Sequence, residues 1–442
     1  MATTALLLAV REKELGLANR AYLDKALGII KENPALNFLA PYAEIAEVCA
    51  VQGKGVMRDI DERFAWVETS QKLKKMDPVL QEKAKTDEFF AYMYASLPCA
   101  FSSSLYNFSE KKDNLDEIWN AFPDSLLLKY KRAICPEENE ERLEEIIALE
   151  PQFYEAEYFL GNLALRKGDF LEAEGRFLKA YQGIPESPQV TVTLATIYYA
   201  TEELDQSLEF YEKTLAIVPE YRDALLGKAI CLSYLGKPKD AIEVLQKIIN
   251  LGYWLIGESF YWLAWNQHEL KNVGEAVADI EQAKTRLPTS TEVFTLSGII
   301  ALETGDPAKA EKDFKEALQY NPSNTEALFN LGGLYVQRRD WNNSAVYFEK
   351  AGFAFENEER SIRNKIDQIR KSPLSAERKE KLLQKKKFQL ERVSLSKATA
   401  FYNGAAGYLN SGEKPKALEL ARRALNHASF KQKAEELISQ IK

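Results

Sequence analysis

Between Tyr154 and Pro185 the apolar residues fall into two runs at helical spacing. Tyr158, Leu160, Leu163 and Ala164 form the first, and Phe170, Ala173, Phe177 and Ala180 the second. A rhythm of three to four residues places such side chains on one face of an α-helix. Lys167-Gly168-Asp169 lies between the runs as a short polar turn. Pro185 has no N–H to continue a helix, so the second run ends there. The pattern predicts two antiparallel helices joined by a tight turn. Gly161 and Ala173 lack bulk, which lets the two axes approach. Phe177 is then expected to pack against the following pair.

The same pattern returns along the chain. Pro151, Pro185, Pro219, Pro288 and Pro322 are separated by 34, 34, 69 and 34 residues. A small residue recurs at Gly161, Ala195, Ala229, Ala264, Gly298 and Gly332, and a second at Ala173, Ser207, Ala241, Ala276, Ala310 and Ser344. A large apolar residue recurs at Phe177, Tyr211, Leu245, Ile280, Phe314 and Phe348. A fourth column reads Ala180, Thr214, Ile248, Ala283, Ala317 and Ala351. All four columns step by 34, 34, 35, 34 and 34, so one unit is repeated in phase. A single helix pair cannot bury its apolar stripe alone, whereas stacked pairs can.

The unit resembles the tetratricopeptide repeat, a helix–turn–helix of this length. Thr325 to Ala351 matches best, with Leu331-Gly332, Tyr335, Phe348 and Ala351 at the family's Leu-Gly, Tyr, Phe and Ala positions. The family's early Trp is replaced throughout, by Glu157, Thr191, Leu225, Phe260, Phe294 and Leu328. The resemblance implies an all-α solenoid of stacked antiparallel helix pairs, a right-handed superhelix. It also implies that the first helix of each pair lines a concave, partner-binding side. Carried onto this chain, the groove would present Tyr158, Tyr199, Tyr234, Tyr261, Trp265, Phe329 and Tyr402. Its acidic residues would be Glu155, Asp223, Glu258, Glu292, Glu303 and Glu326, with Asn162 and His268 adding polar contacts. For Tyr158 and Tyr234 simple packing between neighbouring helices is an equal alternative. Chaperone-binding members of the family clamp a C-terminal carboxylate with Lys, Asn and Arg side chains. Here Asn162 occupies one such place, but the neighbouring places hold Tyr158, Thr193, Asp223 and Gly227, and Asn330 is isolated in the same way, so no cationic clamp is assembled.

Outside the array the phase is lost. Residues 1–120 read as degenerate helical hairpins, with helices near Thr4–Leu17, Tyr22–Lys31, Asn37–Val51, Met57–Lys75 and Leu80–Ser96. The array proper is expected over 121–352. Residues 353–397 read as an inserted, elongated helical hairpin broken at Ser372-Pro373-Leu374, with Ser372 as cap of its second helix. From Arg360 to Lys397 there are 13 Lys or Arg against 4 Asp or Glu, concentrated at Arg370–Lys387. A solvated charged face is the default reading of that run. A docking spur for an acidic partner, a membrane surface or RNA is the functional one. Residues 398–442 read as a last repeat-like unit with a capping helix, Ala434, Leu437, Ile438 and Ile441 sharing one face.

Composition narrows the function. A chain of 442 residues, 46 % hydrophobic and 28 % charged, has the make-up of a folded protein with a large core. A net charge of −8 argues against a general nucleic-acid surface. Cys49, Cys99, Cys135 and Cys231 form no CxxC, and the two histidines, His268 and His427, stand at no metal spacing from them. No metal or cofactor is expected. Gly53-Lys54-Gly55 lacks the order of a phosphate loop. Asp59, Asp61 and Glu62 read as an exposed helix face. The apolar run Ala5 to Val10 is too short to span a membrane and lacks the basic flank of a secretory signal. A soluble, cytoplasmic chain is expected, with a mature periplasmic form whose leader has been removed as the alternative. The leading expectation is a non-catalytic adaptor that holds peptide or helical segments bearing apolar anchors and basic residues. A constitutive subunit of a multiprotein assembly is the second. An enzyme with its site in the N-terminal helical region ranks last, because no His and no motif supports it there.

Overall fold

The computed structural model describes residues 21–32, 81–88, 90–92, 94–95, 108–134, 138–252, 256–372 and 374–441. The expected helices at Thr4–Leu17, Asn37–Val51 and Met57–Lys75, the Gly53-Lys54-Gly55 turn, the Asp59–Glu62 face and Cys49, Cys99 and Cys135 lie outside them. The chain divides into two compact units, Met1–Lys237 and Pro238–Lys442. Both are all-helical among the described residues.

In the first unit α1 spans Ala21–Glu32 and buries Ala26 and Ile30. The expected helix over Leu80–Ser96 is broken at Lys85–Asp87. There the Asp87 carboxylate accepts from the Phe90 amide and restarts the helix. Next come α2 (Phe108–Ala121), α3 (Leu126–Ile134) and α4 (Glu140–Leu149). The repeat pairs follow as α5 (Tyr154–Arg166) with α6 (Phe170–Gly183), and α7 (Pro188–Ala200) with α8 (Leu204–Ile217); α9 (Arg222–Tyr234) closes the unit. Phe177, Val190, Leu194, Ala195 and Tyr198 pack in one core across these pairs. The first helices α7 and α9 of successive pairs touch each other.

The second unit opens on α10 (Pro238–Asn250) and continues with the pairs α11 (Ile256–Glu269) and α12 (Val273–Arg286), and α13 (Thr291–Glu303) and α14 (Pro307–Tyr320). Then come α15 (Thr325–Gln337), α16 (Trp341–Lys371), α17 (Ala376–Asn410), α18 (Lys414–Ala424) and α19 (Lys431–Ile441). First helices again touch, α11 with α13 and α13 with α15. The residues expected to form a separate hairpin instead continue repeat helices: α16 runs 31 residues and α17 runs 35 without a break. Ser372 does not cap α17. Its hydroxyl donates to the Ile369 carbonyl (2.7 Å) and closes α16, while Ser375 accepts from the Arg378 amide and opens α17. The last helix buries Ala434, Leu437 and Ile441 in a core shared with Phe401, Tyr408 and Leu420.

The columns of the sequence are contacts within pairs. Phe177 lies on Gly161 of its own pair, where an added Cβ would stand 2.7 Å from the ring, so its partner is not only the next pair. Gly298 meets Phe314 in the same way (2.6 Å), and Gly332 meets Phe348 (2.8 Å). Where the second small column carries Ser rather than Ala, the hydroxyl donates to a carbonyl of the opposite helix. Ser207 reaches Ala195 O (2.8 Å) and Ser344 reaches Gly332 O (3.0 Å), so the buried hydroxyls are satisfied.

Each turn ends its first helix in a left-handed residue. Gly168, Glu202, Gly236, Lys271, Gly305, Arg339 and Gly412 all have positive φ. The amide of that residue and of the next bond back to the helix, as Arg339 N to Val336 O and Asp340 N to Tyr335 O do (both 2.9 Å). Asp340 then caps α16 through the Asn343 amide. Glycine fits this conformation without Cβ strain, whereas Arg339 at φ 59° bears it. Exposed Arg339→Gly should therefore raise stability by about 0.5–1 kcal/mol, strain relief outweighing glycine's added chain entropy. A urea midpoint that stays or falls would contradict this.

Burial and Glu275, one helical turn before it, push Asp279 on α12 up to about 6. The folded state thus binds this proton more tightly than the unfolded chain, and ionised Asp279 opposes folding. The penalty is absent below the ordinary Asp range, grows as pH rises through about 6, and is complete above it. Asp279→Asn is expected to raise the melting temperature at neutral pH and to leave it unchanged near the ordinary Asp pKa of about 4. Melts across that range check both ends.

Candidate binding faces on the first helices

In the first unit the face is built of tyrosines. Tyr158 is half-buried, with its ring against Phe159 (5.1 Å) and Phe177 (5.7 Å). Burial pushes its phenol up, and a hydrogen bond with Asn162 offsets part of that. Asn162 therefore positions Tyr158. Tyr199 on α7 and Tyr234 on α9 pair at 6.4 Å between ring centroids and share a hydrogen bond. Burial raises the Tyr199 phenol, and Tyr234 adds to it. Tyr234 remains 52 % exposed, so it presents an aromatic surface beyond packing.

Two further tyrosines lie behind this face. The Tyr211 hydroxyl lies 3.5 Å from that of Thr196. Tyr221 is pushed up to about 12 by burial, with Asp223 and Tyr158 contributing. Tyr211 stood in a core column, and the structure keeps it buried, at 5 % exposure. Gly227 makes room for its ring there; a Cβ would stand 2.2 Å from it. Glu155, expected among the acidic groove residues, is buried at 6 % exposure and is no part of an open face.

In the second unit α11 carries Glu258, Tyr261, Trp265 and His268 at steps of three and four, one stripe of one helix. All four are half-buried. Tyr261 packs edge-on against Trp262 (5.2 Å), and Trp262 lies 6.0 Å from Trp265. Trp262 is buried and holds both rings in place. His268 Nε2 stands 3.0 Å from Glu303 Oε2 on α13. Burial raises the Glu326 carboxyl on α15, and His268 lowers it. One imidazole thus interacts with carboxylates from the first helices of two following pairs. Phe329 on α15 lies edge-on to Phe348 (5.2 Å) and Phe355 (6.4 Å). Glu292 is exposed at the start of α13 and accepts from the Ser290 hydroxyl (2.9 Å). Tyr402 on α17 packs against Phe430 (5.4 Å) within the C-terminal core. Among the described residues no group of His, Cys, Asp and Glu is placed to hold a metal ion, and no helix is long and apolar enough to cross a membrane.

The columns, the turns and the adjoining first helices all belong to one family, and comparison names it. A tetratricopeptide-repeat model matches residues 139–189 and 295–355, and a second matches 223–251. This is a tetratricopeptide-repeat protein. Its repeats make it, in general terms, a protein-interaction scaffold. Human protein O-mannosyl-transferase TMTC1 is 24 % identical over 196 residues, 43 % of this chain and 22 % of its own. Human tetratricopeptide repeat protein 6 is 25 % identical over 192 residues, 36 % of this chain and 37 % of its own. The chain thus spans well under half the length of these relatives. A solved tetratricopeptide repeat protein from Parabacteroides merdae aligns over 63 % of this chain and 96 % of its own, at 17 % identity and a TM-score of 0.42.

Proposed function

We propose that this tetratricopeptide-repeat scaffold is a non-catalytic adaptor, and that the first helices of its second unit hold a peptide or helical segment of another protein. One observation carries the reading. Tyr261, Trp265 and Phe329 stand half-buried on α11 and α15, rigidly backed by Trp262, Phe348 and Phe355, with Glu258, Glu303 and Glu326 beside them. Rigid aromatic anchors lose little side-chain entropy on binding and dominate interface energies. Adjacent carboxylates favour a partner carrying Lys or Arg. The segment that fits combines apolar anchors with basic residues. Half-exposed Tyr234 and its partner Tyr199 give the first unit a similar, less acidic patch.

The test is selection from a displayed random-peptide library against the full chain. Enriched peptides should pair aromatic or aliphatic residues with Lys or Arg. Their affinity should fall by about tenfold or more in the Tyr261→Ala/Trp265→Ala/Phe329→Ala variant, each anchor carrying about 1 kcal/mol or more. Unchanged affinity in a variant that still unfolds cooperatively removes this face from the proposal.

A further inference from the structure

We propose that the solvent side of α17 is a second docking surface, separate from the first-helix face, and that it takes an acidic amphipathic helix of another protein. Lys381, Phe388, Arg392 and Leu395 follow one another at helical steps of seven, four and three residues. They form a stripe about 21 Å long on one side of the helix. Phe388 is 67 % exposed and Leu395 is 42 % exposed, while Lys381 and Arg392 are exposed at either side. The opposite side of α17 buries Leu382 and Lys386, and α16 is the helix it packs on, contributing buried Ile362 and Ile366. Packing on α16 therefore accounts for the other side of α17 but not for this one.

Carboxylates hold several other cations of this unit. Lys284 and Lys315 are joined to carboxylates of their own unit, and Lys397 of α17 is joined to Glu359. Lys381 and Arg392, and exposed Lys387 flanking the stripe beside Phe388, are in no ion pair among the described residues. Glu391, next to Arg392, is turned to His427 (3.4 Å), and Glu380, next to Lys381, accepts from the Gln384 side-chain amide (3.1 Å). A strip of cations interrupted by an exposed aromatic and a leucine is the complement of a helix with Leu and Glu at matching positions. Carboxylates would then face Lys381, Lys387 and Arg392, and apolar residues would cover Phe388 and Leu395. Charge complementarity supplies steering and the apolar pair supplies residence. A second copy laid face to face would set cation against cation, which disfavours self-association here. One aromatic among the charges is too few for a stacking platform on single-stranded nucleic acid.

Fluorescence anisotropy with the full chain tests this, using a labelled peptide roughly 21 residues long, about 30 Å as a helix, with Leu and Glu at heptad spacing. The peptide should bind, and its affinity should fall about tenfold or more between about 50 mM and about 300 mM salt. It should fall by about as much in Lys381→Glu/Lys387→Glu/Arg392→Glu and in Phe388→Ser, residues whose exposure leaves the fold intact. Equal binding of a scrambled peptide would reduce the surface to a diffuse charge. So would an unchanged affinity in Phe388→Ser. Binding of phosphatidylserine vesicles or duplex DNA with no binding of the peptide would assign the stripe to a different partner class and overturn the proposal. Light scattering that shows a salt-sensitive dimer lost in the triple variant would overturn it in favour of self-association.

Discussion

Phe314→Ala is expected to cost about 3–5 kcal/mol, the range for deleting a fully buried aromatic ring whose site cannot collapse. Phe314 has no exposure and packs with Ala301, Ala317, Ala327 and Leu331. Its ring fills the space that Gly298 leaves in the facing helix. Removing the ring leaves a cavity walled in large part by alanines and a glycine, residues with no side-chain freedom to fill it, beside Leu331. The loss should also be local. In a repeat stack each pair leans on its neighbours, so hydrogen exchange should quicken first in α13, α14 and α15. Denaturant melts give the magnitude and exchange gives the place. A cost under about 1 kcal/mol would mean that the pair is held by something other than this ring.

Lys284→Met is expected to cost as much, for an electrostatic reason. Asp313 is 2 % exposed; Lys284 Nζ lies 2.8 Å from one of its carboxylate oxygens and the Ser297 hydroxyl donates to the other at 2.7 Å. Lys284 also lies over the Phe294 ring, at 5.3 Å from the centroid. Taking away the cation leaves a buried carboxylate with one neutral donor, and breaking a buried pair from one side costs about 3–5 kcal/mol. The double variant Lys284→Met/Asp313→Leu should recover most of that loss, because it removes the stranded charge as well. If the double variant is no better than the single, packing rather than desolvation sets the cost.

These two sites also show what could be read from the sequence. The Phe314 column was legible there, because a residue that returns every 34 or 35 positions in phase with small residues and a turn must occupy the same place in each pair. The departure at the family's early Trp position was legible as a departure only. At Glu157 the structure supplies its meaning: a 2 % exposed carboxylate bonded by Arg176 (3.1 Å) and Lys179 (3.0 Å) from the next helix. At Thr191 the replacement is a hydroxyl pair with Thr214 (2.9 Å). Polar ties of this kind take the place of an aromatic ring at a pair interface. They remain hidden in sequence because either partner alone reads as an ordinary surface residue.

The binding faces divide in the same way. The stripe Glu258, Tyr261, Trp265 and His268 follows from helical spacing alone. That His268 meets Glu303, feels Glu326, and so links three first helices was settled by stacking. Likewise, the basic composition of residues 360–397 was plain, but the residues on its open side were not, nor was the continuity of α16 and α17 with the repeat helices. By itself the sequence determined the repeat, the pairing of helices, the turns and the core columns. All of these rest on short-range hydrogen bonding and on a burial rhythm that each unit restates. Tertiary structure alone decided which charges are paired, which rings are backed and which faces stay open, since those depend on residues brought together from distant turns of the stack, and periodicity records burial without naming the neighbour.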